Sequence, residues 1–294
     1  MRIVLLGANG QLGFELKRAF APLGEVMALD RDKADLLDAE RLAATLLTLA
    51  PELILNAAAY TAVDRAESEP EQADRINHLA VAAIGRAAQT LGARVVHYST
   101  DYVFAGAERR PCREDAPLGP HSVYGLSKLR GEIALRESGA QHLILRTAWV
   151  YAARGGNFLR TMLKLGRERD ELKVVNDQTG SPTPARWLAG ATALAVMRWQ
   201  DCLAPANLSG TYHLSAAGDT TWHAFACEIF ARAKRQGLIT QTPRVLPISS
   251  AAFAAKAVRP AYSVLDSDHF NRTFNLKLPH WGVGLDEVLA ELQA

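Results

Sequence analysis

Short apolar runs alternate with longer amphipathic ones through the first half of this chain. Arg2–Leu6, Glu25–Asp30, Leu53–Ala58, Arg94–Ser99 and His142–Thr147 are rich in aliphatic residues, the signature of strands covered on both faces. The segments between them, such as Gln72–Leu91, place apolar residues at helical period. This βαβα order predicts an α/β fold built on a doubly wound parallel sheet. After Trp149 the regularity fades. Helices are predicted over Phe158–Arg169, Ala185–Trp199 and Trp222–Arg235, with a strand at Thr211–Ser215, while Pro243–Pro260 reads as turn-rich. Residues 1–150 therefore form the expected nucleotide-binding domain, with returning segments near 184–200 and 210–216. Residues 151–294 form mostly a smaller, interleaved C-terminal lobe for the substrate.

Composition narrows the class without naming a chemistry. Of 294 residues, 49% are hydrophobic and 22% charged, as in ordinary soluble globular enzymes. A net charge of +2 gives no general argument for nucleic acid or membrane as partners, though a local basic groove for a small anion remains open. Cys112, Cys202 and Cys227 have neither metal-ligand nor disulfide spacing, which fits a reducing cytoplasm. The first apolar run, Ile3–Leu6, is too short for a signal peptide, and no stretch approaches the ~20 residues of a membrane span.

Three clusters carry candidate chemistry. The first is GANGQLG, in which Gly7, Gly10 and Gly13 follow the first strand and open a helix. Glycines there permit a tight turn and seat a pyrophosphate on helix N-terminal amides, so the sheet is expected to be Rossmann-type. Asp30 ends the second strand, where a carboxylate accepts the adenosine ribose hydroxyls; Arg31 beside it suits a 2′-phosphate, so both NADH and NADPH are expected cofactors. The second cluster, His97–Phe104, lies at the carboxyl end of the fourth strand, where open α/β sheets bind ligands. Thr100 there offers a hydroxyl to a substrate oxygen.

The third cluster is Tyr124 and Lys128, one helical turn apart. A phenol has a pKa near ~10, and an ammonium within about 4–6 Å lowers it by about 1–3 units. Lys128 is thus expected to tune Tyr124 as a proton donor. The spacing alone arises by chance about 0.2 times in such a chain, so the glycine turn and Thr100 carry its weight.

The fragments GANGQLG, NAAAYTAVDRAESEP, HYSTDYVFAG, VYGLSKLRGE, RTAWVYA, NDQTGSPT, TYHLSAAGDTTW and RPAYSVLD run in order from end to end. In them the chain resembles the extended short-chain dehydrogenases/reductases, and within these the reductases of dTDP-4-dehydro-L-rhamnose. The resemblance implies NAD(P)H-dependent reduction of the C4 ketone of a dTDP-sugar for cell-surface polysaccharide such as lipopolysaccharide. It implies that Gly10, Gln11 and Leu12 line the pyrophosphate, Asp30 the ribose, and Asp35 and Leu36 the adenine side. Ala59, Tyr60, Thr61 and Tyr98 would flank the cofactor, with Thr100, Tyr124 and Lys128 as the catalytic set. Thr100, Asp101 and Trp149 would contact the deoxysugar, and Asn157, Phe158, Asp177, Gln178 and Arg259 the nucleotide end.

Related sugar-nucleotide dehydratases carry Thr-Asp-Glu where this chain has Thr100-Asp101-Tyr102. Without that carboxylate the C5 proton has no evident base, so reduction is favoured over dehydration. A related C4 reductase or epimerase, and a nucleotide-binding regulatory subunit without turnover, remain alternatives. Some members are described as magnesium-linked homodimers built on acidic residues. Arg186 stands where at least one member has glutamate, which argues against a Mg2+ bridge here, so the metal is unassigned and a homodimer stays open.

Overall fold

The computed structural model describes residues 1–107 and 109–293. Its centre is a six-stranded sheet of β1 (Arg2–Leu6), β2 (Glu25–Leu29), β3 (Leu53–Asn56), β4 (Arg94–Thr100), β5 (His142–Thr147) and β7 (Gly210–His213), in the order β7-β5-β4-β3-β1-β2. Every pairing in it is parallel. The chain reverses its direction of winding between β1 and β3, and the crevice at such a switch point is where doubly wound sheets bind ligands.

Residues of β1 alternate between two cores, which explains why the strand is apolar throughout. Ile3 and Leu5 pack with Leu16 and Phe20 of α1 (Gln11–Phe20) and with Leu188 and Trp199 of α6 (Ala185–Asp201). Val4 and Leu6 face the other way, onto Leu42 and Leu46 of α2 (Ala39–Leu49) and Ile84 of α3 (Ala80–Leu91). Each fully buried aliphatic side chain contributes about 1.5–3 kcal/mol. A third core lies in the C-terminal lobe, where α5 (Phe158–Glu168), α7 (Trp222–Arg235) and α8 (Trp281–Glu291) pack through Leu159, Phe225, Ile229 and Leu285.

Several elements differ from expectation. Gln72–Leu91 is not one helix: a short helix, Pro70–Asp74, passes through a π-helical turn, Arg75–Leu79, into α3. The turn is closed by the Ala80 N–H on the Arg75 carbonyl. The turn-rich reading of Pro243–Pro260 missed β8 (Arg244–Ile248), which pairs in parallel with β6 (Glu171–Val175). Two short, partly exposed strands, one interrupted by Pro247, give little periodic signal. Beyond them, the chain near 257–266 runs back across the carboxyl ends of the main sheet, with the Cys112 N–H on the Val264 carbonyl and the Asp266 N–H on the Cys112 carbonyl, both at 2.8 Å.

Candidate active site

The glycine turn is shaped by its own backbone. Gly7 sits at φ +77°, and a Cβ there would lie 2.7 Å from the Ala58 amide nitrogen; one at Gly13 would collide with the Gly7 carbonyl. Only hydrogen fits at either place. Gly10 caps α1 without a side chain, so the first-turn amides of Gln11 and Leu12 have no side-chain acceptor from the cap and form a cradle for an anionic group. The Leu12 side chain packs on the core, which leaves its backbone for that purpose. Gln11 instead reaches the C-terminal lobe: its Nε2 donates to the Gly156 carbonyl at 3.2 Å, and its Oε1 accepts from Asn157 Nδ2 at 2.8 Å.

At the adenine end, Asp30 closes β2 and its carbonyl accepts from the Lys33 and Ala34 amides. Arg31 turns to Asp35 at 3.7 Å, and Asp35 also accepts the Leu37 N–H. Leu36 is buried in the core beside Leu42 and Ala34, a packing residue first.

The catalytic candidates converge. Thr100, the last residue of β4, is 4% exposed; its hydroxyl donates to Asp101 at 3.0 Å, accepts the Tyr102 N–H at 3.2 Å and bonds the Tyr124 phenol. Tyr124 and Lys128 both lie on α4 (Val123–Glu137), which begins at an N-cap formed by Ser122 on the Gly125 amide. The Lys128 ammonium donates to the Tyr98 carbonyl at 2.6 Å and lies 3.3 Å from His97 Nε2. Tyr98 thus contributes its carbonyl here, since its ring is in the core and its phenol donates to Thr192 at 2.7 Å.

Burial dominates the electrostatics of Tyr124 and Lys128. Burial pushes the Tyr124 phenol up to about 12, the Thr100 bond lowers it, and Asp101 raises it. Burial likewise pushes Lys128 down to about 8, against the pull of Glu132. Lys128 is not among the groups that shift the Tyr124 phenol in the protein alone. Near neutrality both groups carry their protons, as proton donation requires.

Residues the sequence did not flag hold this arrangement. Asn77, in the π-helical turn and 1% exposed, binds both the N–H and the carbonyl of Tyr60 and donates to Ser127, which donates in turn to the Tyr124 carbonyl. Glu132, one turn beyond Lys128, is fully buried against Arg146 at 2.7 Å and Ser99 at 2.5 Å. Burial would raise its carboxyl, yet the bonds from Arg146 and Ser99 keep it below its ordinary value. A buried polar residue at an apolar phase of a helix was the available signal for both.

The Tyr60 ring packs near Tyr124, and its hydroxyl donates to Glu69 at 2.7 Å; Ala59 is partly buried and Thr61 exposed. Asp101 is 2% exposed and bonded by Thr100 and Ser263; burial raises it to about 6, and its Oδ2 has no partner. Trp149 adopts φ +47°, stacks on Trp222 with ring centroids 3.4 Å apart, and closes over Gly180. Asn157 caps α5, while Phe158 packs among Trp222 and Phe225. Asp177 and Gln178 are committed to Ser250. Arg259 is no free cation either: it forks onto Asp64 at 2.6 and 3.1 Å and bonds the Tyr102 phenol.

Among the described residues no three His, Cys, Asp or Glu side chains converge as a metal site. Arg186 donates to Glu291 at 2.5 Å. No helix is long and apolar enough among the described residues to cross a membrane.

Residues 1–294 match the family described as the RmlD substrate binding domain. The chain is 46% identical to the dTDP-4-dehydrorhamnose reductase of Escherichia coli K12, over 99% of this chain and 98% of that one. It is 47% identical to the enzyme of that name from Burkholderia thailandensis, over 97% of each. The crystal structure of dTDP-4-dehydrorhamnose reductase from Bacillus anthracis in complex with NADP superposes with a TM-score of 0.88 at 36% identity, covering 99% of both chains.

Proposed function

The chain belongs to the RmlD substrate-binding-domain family, that of the dTDP-4-dehydrorhamnose reductases, and we propose that it reduces the C4 ketone of dTDP-4-dehydro-L-rhamnose to give dTDP-L-rhamnose. It is an oxidoreductase that uses NADPH or NADH, and its substrate is a dTDP-sugar. The observation that carries this reading is the gathering of Thr100, Tyr124 and Lys128 about the end of β4, in the sheet whose β1 leads into the uncapped glycine turn, with a tyrosine rather than a carboxylate at position 102.

The residues present fit the cofactor: the Gly7–Gly13 turn leaves helix amides for a diphosphate, and Asp30 stands at the end of β2 for a ribose. The reduced nicotinamide, when bound, supplies the hydride for C4. Tyr124 donates its phenolic proton to the C4 oxygen as charge develops there. Thr100 aligns the phenol, and on turning its hydrogen from Asp101 its hydroxyl would offer that oxygen a second hydrogen bond; proton donation of this kind contributes about 10²–10⁴-fold. Lys128, which donates to the Tyr98 carbonyl, would turn another N–H to the nicotinamide ribose. The partnerless Asp101 Oδ2 receives a sugar hydroxyl, and Trp149 forms a wall of the sugar pocket. Tyr102, bonded to Arg259, supplies no base for the C5 proton, which disfavours dehydration.

By role, we divide the chain near residue 150, with segments 184–200 and 210–216 returning to the cofactor domain. We place the enzyme in the cytoplasm as a homodimer; light scattering tests the latter. The test of function is direct. Purified protein with NADPH and the keto-sugar nucleotide should oxidise the cofactor, and NMR of the product should show the rhamno configuration at C4. No oxidation, or a product epimeric at C4, would sink the assignment.

A further inference from the structure

Behind Lys128 lies a buried chain of polar groups that proton donation by Tyr124 does not use. His97, on β4 and fully buried, presents Nε2 to the Lys128 ammonium at 3.3 Å and Nδ1 to the Asn56 side-chain amide at 3.0 Å. Asn56, at the end of β3 and 1% exposed, accepts the Ala58 N–H through Oδ1 at 3.3 Å. Ala58 in turn packs against Gly7 of the glycine turn. Lysine and asparagine thus grip the two nitrogens of one imidazole in a space closed to water.

Hydrogen counting gives two consistent states. An imidazole with one hydrogen donates from one nitrogen and accepts at the other, whereas an ammonium only donates. When Lys128 is charged, His97 Nε2 must accept, its hydrogen sits on Nδ1, and Asn56 must present Oδ1 to it, giving up the bond to Ala58. With Asn56 Nδ2 toward His97, as placed here, Nδ1 must accept. The hydrogen then sits on Nε2 and donates to a neutral Lys128 amine. The second state holds one proton fewer in all, and the imidazole stays neutral in both.

We infer that His97 is the positioning residue that sets the charge of Lys128, through a coupled change of imidazole tautomer and Asn56 amide orientation. Burial and the neighbouring Lys128 charge hold His97 well below its ordinary pKa, so a doubly protonated imidazole does not intrude. The charged and titratable groups that face the pair are few. Glu132 on α4 favours the charged lysine, and His142 on β5 disfavours a charged His97. Asp101 follows β4 beside Thr100 and Tyr124. The π-helical turn packed on α4 presents the uncharged Asn77, while its His78 pairs with Asp74, which also holds Arg130. His97 therefore decides whether Lys128 meets the cofactor ribose as a cation, and Asn56 carries that state to the Ala58 amide beside the glycine turn.

This inference rests on Lys128 acting in the reduction proposed above, and two measurements separate the claims. Nitrogen-15 NMR of histidine-labelled protein without cofactor should show His97 with its hydrogen on Nδ1 at neutral pH, and on Nε2 as pH rises past about 8, where Lys128 loses its proton. A single tautomer throughout, or the same switch in Lys128→Met, would overturn the coupling. In turnover, His97→Leu removes an acceptor from the ammonium and should move the alkaline limb of the kcat profile down by about 1 pH unit. His97→Gln, which keeps an acceptor oxygen, should restore it. If both variants merely scale kcat without moving the limb, His97 is packing alone. Wild-type protein that oxidises no cofactor with the keto-sugar would instead defeat the functional reading and leave the NMR result standing.

Discussion

The side-chain amide of Asn77 clasps the backbone of Tyr60 on both sides, accepting its N–H at 2.9 Å and donating to its carbonyl at 3.0 Å. Its second amide hydrogen goes to Ser127, one turn from Tyr124 on the same helix. One buried residue thus joins the loop after β3 to the helix that carries the proton donor. Asn77→Ala strands buried groups on two elements and should destabilise the fold by about 2–3 kcal/mol. It should also weaken NADPH binding. Urea unfolding and cofactor fluorescence titration check this, and unchanged values in both would show that Tyr60 is held by other means.

Tyr124→Phe keeps the ring and loses the proton, so kcat should fall by about 10²–10⁴-fold with cofactor affinity near that of wild type. Thr100→Val preserves shape but removes a bond that lowers the buried phenol's pKa; a loss of about 10²-fold is expected. Steady-state rates beside NADPH titrations distinguish lost chemistry from lost binding. Wild-type turnover in Tyr124→Phe would remove Tyr124 from the mechanism.

Asp101 gives stability a pH dependence opposite to that of most carboxylates. Burial raises its folded-state pKa from 3.8 to about 6, so between these values the native protein holds a proton that the unfolded chain has released. The contribution of Asp101 is fully present below about pH 4 and is lost as pH rises through about 6, on the order of 3 kcal/mol in all. Asp101→Asn should therefore gain on wild type as pH increases through that window, while its KM for the sugar nucleotide rises. Urea midpoints measured in parallel across the window provide the check; a difference that stays constant with pH would contradict the buried-acid account.

Asp64 and Arg259 lie far apart in sequence, and their pairing ties the returning C-terminal segment to the cofactor domain beside Tyr102. The Asp64 side chain is 45% exposed, so the pair contributes under about 1 kcal/mol to stability. Its effect should fall on substrate alignment instead. Asp64→Asn is expected to raise KM for the dTDP-sugar by about fivefold, equivalent to about 1 kcal/mol, with kcat little changed. A fall in kcat at constant KM would place the pair nearer the chemistry than the ion pair implies.

The main sheet, its winding and the glycine turn were legible in the chain because each depends on local rules. β1 must be apolar throughout when Val4 and Leu6 face one core and Ile3 and Leu5 the other, and Gly7 must lack a side chain at φ +77°. Thr100 at a strand end and Tyr124 with Lys128 on one helix face were readable for the same reason. Tertiary structure alone decided which of the remaining polar groups are already partnered. Arg259 meets Asp64, Gln178 meets Ser250 and the Tyr98 phenol meets Thr192, all across separations that no local pattern encodes. It also decided the protonation of the site. The charges of Tyr124 and Lys128 depend on how completely water is excluded from both, and that exclusion is a property of packed elements rather than of spacing along a helix.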